Sequence, residues 1–141
     1  MNRAARLIKG IPPRDRITPV LIELHWLPIK ARIIYKICTL VFQVIKFGKP
    51  AYLSSLLSEF HTESNIVLRH NTEPHRFQEP RVNSGIGSRA FENCAPRLFN
   101  KLPTQVKTSA TMEVFKKRLK THLFSEAYDL EERRIEDAYK C

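Results

Sequence analysis

Apolar residues along this chain fall into helix-spaced groups divided by proline and glycine corners. The longest group lies between Ile33 and Phe47. Ile33, Ile37, Leu40, Val41, Val44 and Ile45 follow one wide stripe, with Tyr35 and Phe42 on another side. A helix apolar over most of its circumference belongs at the centre of a fold, with neighbours on several faces. Gly48 is its stop signal, and Pro50 opens a short helix over "AYLSSLLSEF".

Shorter groups flank this segment. "RAARLIKG" reads as helical turns with Ala4, Leu7 and Ile8 on one side and Gly10 as the C-terminal stop. Thr18-Pro19 is an N-cap followed by proline at the first helical position, starting a helix that carries Leu21, Ile22, Leu24 and His25 up to Trp26. Pro28 ends or kinks it, because proline removes a donor and restricts Leu27. Trp26 is the only tryptophan, and beside Pro28 it reads as a packing anchor at a helix–helix corner.

From His61 to Arg81 the periodicity fades into a long loop, with candidate strands at Ile66–Arg69 and Arg81–Asn83. A helix then starts over Arg89–Glu92 and carries Phe91, Ala95, Leu98, Phe99 and Leu102, with Pro96 inside it as a kink or a fresh start. Ser109 or Thr111 caps a last helix whose buried stripe is Met112, Phe115, Leu119 and Leu123, with His122 or Phe124. "DLEERRIEDAYKC" either extends that helix, through pairs such as Glu131 with Arg134, or frays. The expected fold is therefore mainly α: a small domain of five or six helices around the central apolar one, with room for a short β element between Ile66 and Asn83.

Charge adds a partner class. The chain of 141 residues carries a net +10. The segment from Glu126 to Cys141 has six acidic and three basic residues, which leaves the body at +13. Such a body favours polyanions, with a merely basic surface as the plainer reading. The densest cluster is Lys116, Lys117, Arg118 and Lys120, which on a helix faces away from Phe115 and Leu119 and suits a phosphate backbone as well as it suits plain solvation. Arg3, Arg6, Arg14 and Arg16 form a second basic segment. The aromatic residues mostly sit in apolar stripes, so base stacking is not indicated.

Catalytic chemistry finds no frame. Phosphoryl or nucleotidyl transfer needs paired carboxylates for two metal ions, and the body holds one aspartate, Asp15, with scattered glutamates. Cys94 and His122 are the nearest approach to a nucleophile and base, without supporting context. His61, His70 and His75 share the long loop but lack metal-ligand spacing, and Gly85 and Gly87 form no phosphate-cradling motif. No enzyme site, metal or cofactor is expected. Cys38, Cys94 and Cys141 are far apart and odd in number, and the opening residues are too polar for a secretory leader. The apolar run is too short and too charged to span a bilayer. An intracellular setting, nuclear or cytoplasmic, without a membrane partner is the expectation.

Four ordered blocks carry a resemblance. "ITPVLIELHWLPIKARIIYKICTLVFQVI" with "PAYLSSLL", then "GSRAFENCAPRLFNKLP", then "FKKRLKTHLF", preceded by "NRAARLIKG", resemble the carboxy-terminal region of non-LTR (LINE-type) retrotransposon reverse transcriptases of the Jockey and chicken-repeat groups. Phe99 stands where that family usually has tryptophan. The resemblance covers Asn2 to Phe124. It implies a helical post-thumb domain over residues 1–125 and a charged tail over 126–141. It further implies a fragment of an RNA-directed DNA polymerase without the palm aspartates or the endonuclease. RNA or DNA backbone is then the expected partner. The alternatives are a helical piece that packs on a reverse-transcriptase thumb or on itself, and a translated remnant without a selected role.

Overall fold

The computed structural model describes residues 1–57 and 75–138, with side chains described as far as Asp129. It is mainly helical. Seven α-helices are present among the described residues: α1 (Asn2–Lys9), α2 (Thr18–Glu23), α3 (Ile29–Phe47), α4 (Ala51–Ser54), α5 (Phe91–Asn100), α6 (Thr104–Lys107) and α7 (Met112–Ala138). A 3-10 turn at Gly87–Arg89 leads into α5. The candidate strand at Ile66–Arg69, together with His61 and His70, lies outside the described residues, as do the side chains of the Glu131–Arg134 pair. The candidate strand at Arg81–Asn83 does not form. The segment is irregular and exposed, and an extended segment gains little without a partner ladder.

The chain divides into two compact units. One comprises Met1–Ile33 with the chain from Lys120 onwards, and the other comprises Ile34–Leu119.

The first unit is built on Ala5, Val20, Leu21 and Tyr128, with Met1, Ile11, Ile17, Leu24, Trp26 and Phe124 packed against them. α1 buries Ala5 rather than the expected Ala4, Leu7 and Ile8 side; Leu7 is 86% exposed. The methyl of Ala5 permits close approach where a longer side chain would hold neighbours off. α1 stops at Gly10, which takes the left-handed conformation at φ 63°.

α2 also stops through a left-handed residue, but it is His25, at φ 52°. The Trp26 N–H reaches back to the Leu21 carbonyl (2.8 Å) and the His25 N–H to that of Ile22 (2.9 Å). These two bonds satisfy the last carbonyls of the helix and end it at Glu23, well before Pro28. Trp26 is half-buried against the core of this unit, and the Tyr128 hydroxyl donates to its carbonyl (2.5 Å). The tryptophan corner is therefore architecture.

The second unit is organised by α3 and an aromatic stack. Cys38, Val41 and Phe42 are fully buried, whereas Ile33, in the first unit, is 55% exposed. Of the expected stripe Val41 and Val44 are buried and Ile33 is not; Cys38, a small apolar group when buried, and Phe42 complete the buried face. Phe42 stacks on Phe115 (4.0 Å between centroids), Phe115 lies 6.3 Å from Phe99, and Phe77 meets Phe99 edge-on at 5.7 Å. Pro96 sits buried inside α5, which continues unbroken from Phe91 to Asn100. The connection to α7 contains α6, a turn that the apolar pattern does not predict.

Candidate nucleic-acid interface

α7 owes its start to Thr111. The Thr111 Oγ1 accepts the Val114 N–H at 3.3 Å, and its carbonyl accepts the Phe115 N–H at 3.0 Å. Phe115, Leu119 and Leu123 then recur one turn apart and are buried. That spacing turns Lys116, Lys117, Arg118 and Lys120 outward, and all four are exposed. Lys116 and Lys120 share one strip of the helix surface, being four residues apart.

Arg118 has a structural task as well: its Nη1 donates to the Gln105 carbonyl at 2.7 Å. The bond ties α6 to α7 and fixes the guanidinium. Gln105 lies inside a helix of only one turn, where backbone carbonyls lack intrahelical donors.

The amino-terminal arginines divide by role. Arg6 is half-buried and clamps the loop that follows α1, donating from Nη1 to the Pro12 carbonyl (2.5 Å) and from Nη2 to the Asp15 carbonyl (2.6 Å). Arg3 is exposed on α1, and Arg14 and Arg16 are exposed on the loop that Arg6 holds. Lys9 pairs with Glu23. Of the predicted set, Arg3, Arg6, Arg14, Arg16 and Lys120 belong to the first unit, and Lys116, Lys117 and Arg118 to the second.

Other candidate chemistry is locally occupied. The Cys94 thiol faces the Phe91 carbonyl (3.9 Å), and His122 lies 3.8 Å from the Glu126 carboxylate one turn along α7. Two open hollows share Glu79. One, of about 490 Å³, is lined by Arg76, Phe77, Gln78 and Asn100; the other, of about 100 Å³, by Pro80, Val82, Ser88, Asn93 and Arg97. Among the described residues no group of three or more His, Cys, Asp or Glu side chains could hold a metal ion. Among them, too, no helix is long and apolar enough to cross a membrane.

Sequence reasoning missed one exposed constellation. The aromatic residues mostly sit in apolar stripes, yet Phe47 is 62% and Tyr52 69% exposed, next in sequence to exposed Lys46 and Lys49. The available signal was "KFGKPAY", in which glycine and proline break the helix and leave the flanking rings on a corner. No protein-family model, curated protein or solved structure matches the chain.

Proposed function

We propose that the protein is a non-catalytic, nucleic-acid-associated helical domain. It would derive from the carboxy-terminal region of a non-LTR retrotransposon reverse transcriptase and contact RNA or DNA backbone with little sequence preference. The observation that carries this reading is the outward presentation of Lys116, Lys117, Arg118 and Lys120 on one capped helix in a chain of net charge +10. Lysines and arginines that neutralise phosphates release condensed counterions, so binding of this kind weakens steeply with salt. Arg3, Arg14 and Arg16 would add contacts of the same kind, while Arg6 holds the loop that carries Arg14 and Arg16. The chemistry of polymerisation would lie in a palm whose aspartates this chain does not carry.

Titrating the protein onto labelled structured RNA and duplex DNA, at about 50 and 200 mM salt, tests the reading. K116Q/K117Q/K120Q, which spares the Arg118 bond to Gln105, should flatten the slope of log affinity against log salt by about two to three. An unchanged slope removes α7 from the interface.

A second reading has its own observation. In the first unit Leu7, Ile8, Ile22, Ile29 and Ile33 remain exposed. Large apolar side chains left on several elements suit a protein contact, with a polymerase thumb or a second copy as the partner. A concentration-dependent size in solution that salt does not change would favour this reading.

A further inference from the structure

We infer that the corner joining α3 to α4 is a stacking site for the unpaired bases of a single-stranded nucleic acid. The site consists of the rings of Phe47 and Tyr52, with Lys46 and Lys49 adjacent in sequence. It goes beyond backbone contact by α7 and uses none of that helix's residues, so either reading can fail without the other.

Exposure singles these rings out. Every other described phenylalanine, tyrosine or tryptophan is buried or half-buried, whereas Phe47 and Tyr52 are more than half exposed. They lie five residues apart, on the two sides of one tight corner. The corner is held in place by local hydrogen bonds. Gly48 takes φ 63° and its N–H reaches the Val44 carbonyl at 2.8 Å. The Leu53 and Ser54 N–H groups reach the Pro50 carbonyl at 3.0 and 3.3 Å, and the Ser55 hydroxyl donates to the Tyr52 carbonyl at 3.0 Å. Buried Leu53 and Leu57 anchor the α4 side. Rings presented on a fixed backbone lose little freedom when a ligand covers them.

Charge selects the occupant. Within the second unit, the sequence from Ile34 to Ser58 contains no aspartate or glutamate, while Lys36, Lys46 and Lys49 fall within it. The Lys46 ammonium lies 5.7 Å from the centroid of the buried Phe42 ring, one turn back along α3, while Lys49 is exposed between the two rings in the sequence. Two exposed rings in a segment that carries lysines and no carboxylate match a ligand of flat rings joined by anions. A strand of unpaired nucleotides is such a ligand, and every base offers a π-face whatever the sequence. Bases inside a duplex are already stacked and cannot reach these rings.

The test compares F47A/Y52A with the parent protein on a labelled oligothymidylate of about twelve nucleotides and on a duplex of equal length. The substituted rings are exposed, so the unfolding midpoint should match the parent's. The site predicts at least a tenfold loss of single-strand affinity with duplex affinity unchanged. F47W/Y52W, which keeps two stacking rings, should retain single-strand binding. Photo-crosslinking of the unaltered protein to a 5-iodouracil strand should map to Phe47 or Tyr52. Unchanged single-strand affinity in F47A/Y52A overturns the proposal, as does a parent protein that binds duplex only. Loss of self-association in F47A/Y52A, with single-strand affinity intact, also overturns it and assigns the rings to a protein contact.

Discussion

The side-chain amide of Asn100 holds Phe77 by both of its backbone groups. Its Oδ1 accepts the Phe77 N–H at 3.0 Å and its Nδ2 donates to the Phe77 carbonyl at 2.9 Å. The same Nδ2 reaches the Glu79 carboxylate at 2.9 Å. One residue at the end of α5 thus satisfies both backbone groups of a residue that is 3% exposed and whose ring sits edge-on to Phe99.

Asn100→Ala should therefore cost about 2–4 kcal/mol, because two buried backbone groups lose their partners together. Asn100→Asp keeps the acceptor, loses the donor and sets a carboxylate beside Glu79, so it should be at least as damaging near neutral pH. Urea midpoints measure both. A change under about 0.5 kcal/mol for Asn100→Ala would show that Phe77 does not depend on this amide.

Lys107 makes the matching contact on the other side of Asn100. It is 2% exposed, and its ammonium donates to the Asn100 carbonyl at 2.8 Å. That carbonyl belongs to the last residue of α5, where a helix leaves acceptors unpaired and favours positive charge. Lys107→Ala removes the charge and empties the space of the stem. Lys107→Met fills most of that space, so it should cost less, by about 1 kcal/mol or more. Equal losses would mean that the ammonium alone matters.

The contrast between Gly48 and His25 shows what the sequence made legible. Glycine after an apolar stripe marks a left-handed stop, and Gly10 and Gly48 both take φ 63°. His25 does the same work without a glycine, so the sequence pattern offers only Pro28 as a stop and runs α2 on to Trp26, past its end at Glu23. The buried stripe of α7 was legible because Phe115, Leu119 and Leu123 repeat at one-turn spacing. α6 and the Asn100 bridge were not, because a one-turn helix has no periodicity and the bridge joins residues 23 positions apart. At the candidate interface, charge density pointed to the α7 cluster. The division of the amino-terminal arginines, with Arg6 clamping a loop and Arg14 and Arg16 exposed on it, needed the hydrogen bonds.

Gly48→Ala isolates the cost of that conformation. A Cβ placed at Gly48 meets nothing within 4 Å, so no clash with neighbours contributes. The expected loss is about 1–2 kcal/mol, the penalty for a left-handed residue with a side chain. Gly48→Asn should recover part of it, since asparagine tolerates this region better. An alanine variant as stable as the parent would show that the turn relaxes out of φ 63°.

Tyr128→Phe tests whether the tryptophan corner is tied to α7 within the first unit. The substitution keeps the ring, which meets Phe124 edge-on at 4.6 Å, and removes the hydroxyl that donates to the Trp26 carbonyl. A loss of about 1 kcal/mol is expected, with a shift in Trp26 fluorescence as its local sign. Tyr128→Ala should cost about 3–5 kcal/mol by opening the core around Ala5, Val20 and Leu21. If Tyr128→Phe leaves stability and fluorescence unchanged, the hydroxyl contributes nothing to the corner.

Cys38 makes stability depend on alkaline pH. The thiol is fully buried on α3, and burial, with a smaller contribution from Cys94, pushes its pKa up from 9.0 to about 12. Below about pH 9 the thiol is protonated whether the chain is folded or not, so its contribution is fully present. As pH rises the unfolded chain ionises first, and the contribution is lost progressively until pH approaches 12. The full shift corresponds to about 4 kcal/mol. Burial raises the pKa of Tyr35 as well and adds a slope of the same sign. Cys38→Ala should therefore make unfolding free energy less steep between pH 9 and about 12 without abolishing the dependence. In the folded parent a thiol reagent should spare Cys38 and label it only in denaturant. Rapid labelling of Cys38 in the native state, or parallel pH curves for parent and variant, would show that this thiol is not sealed in the core.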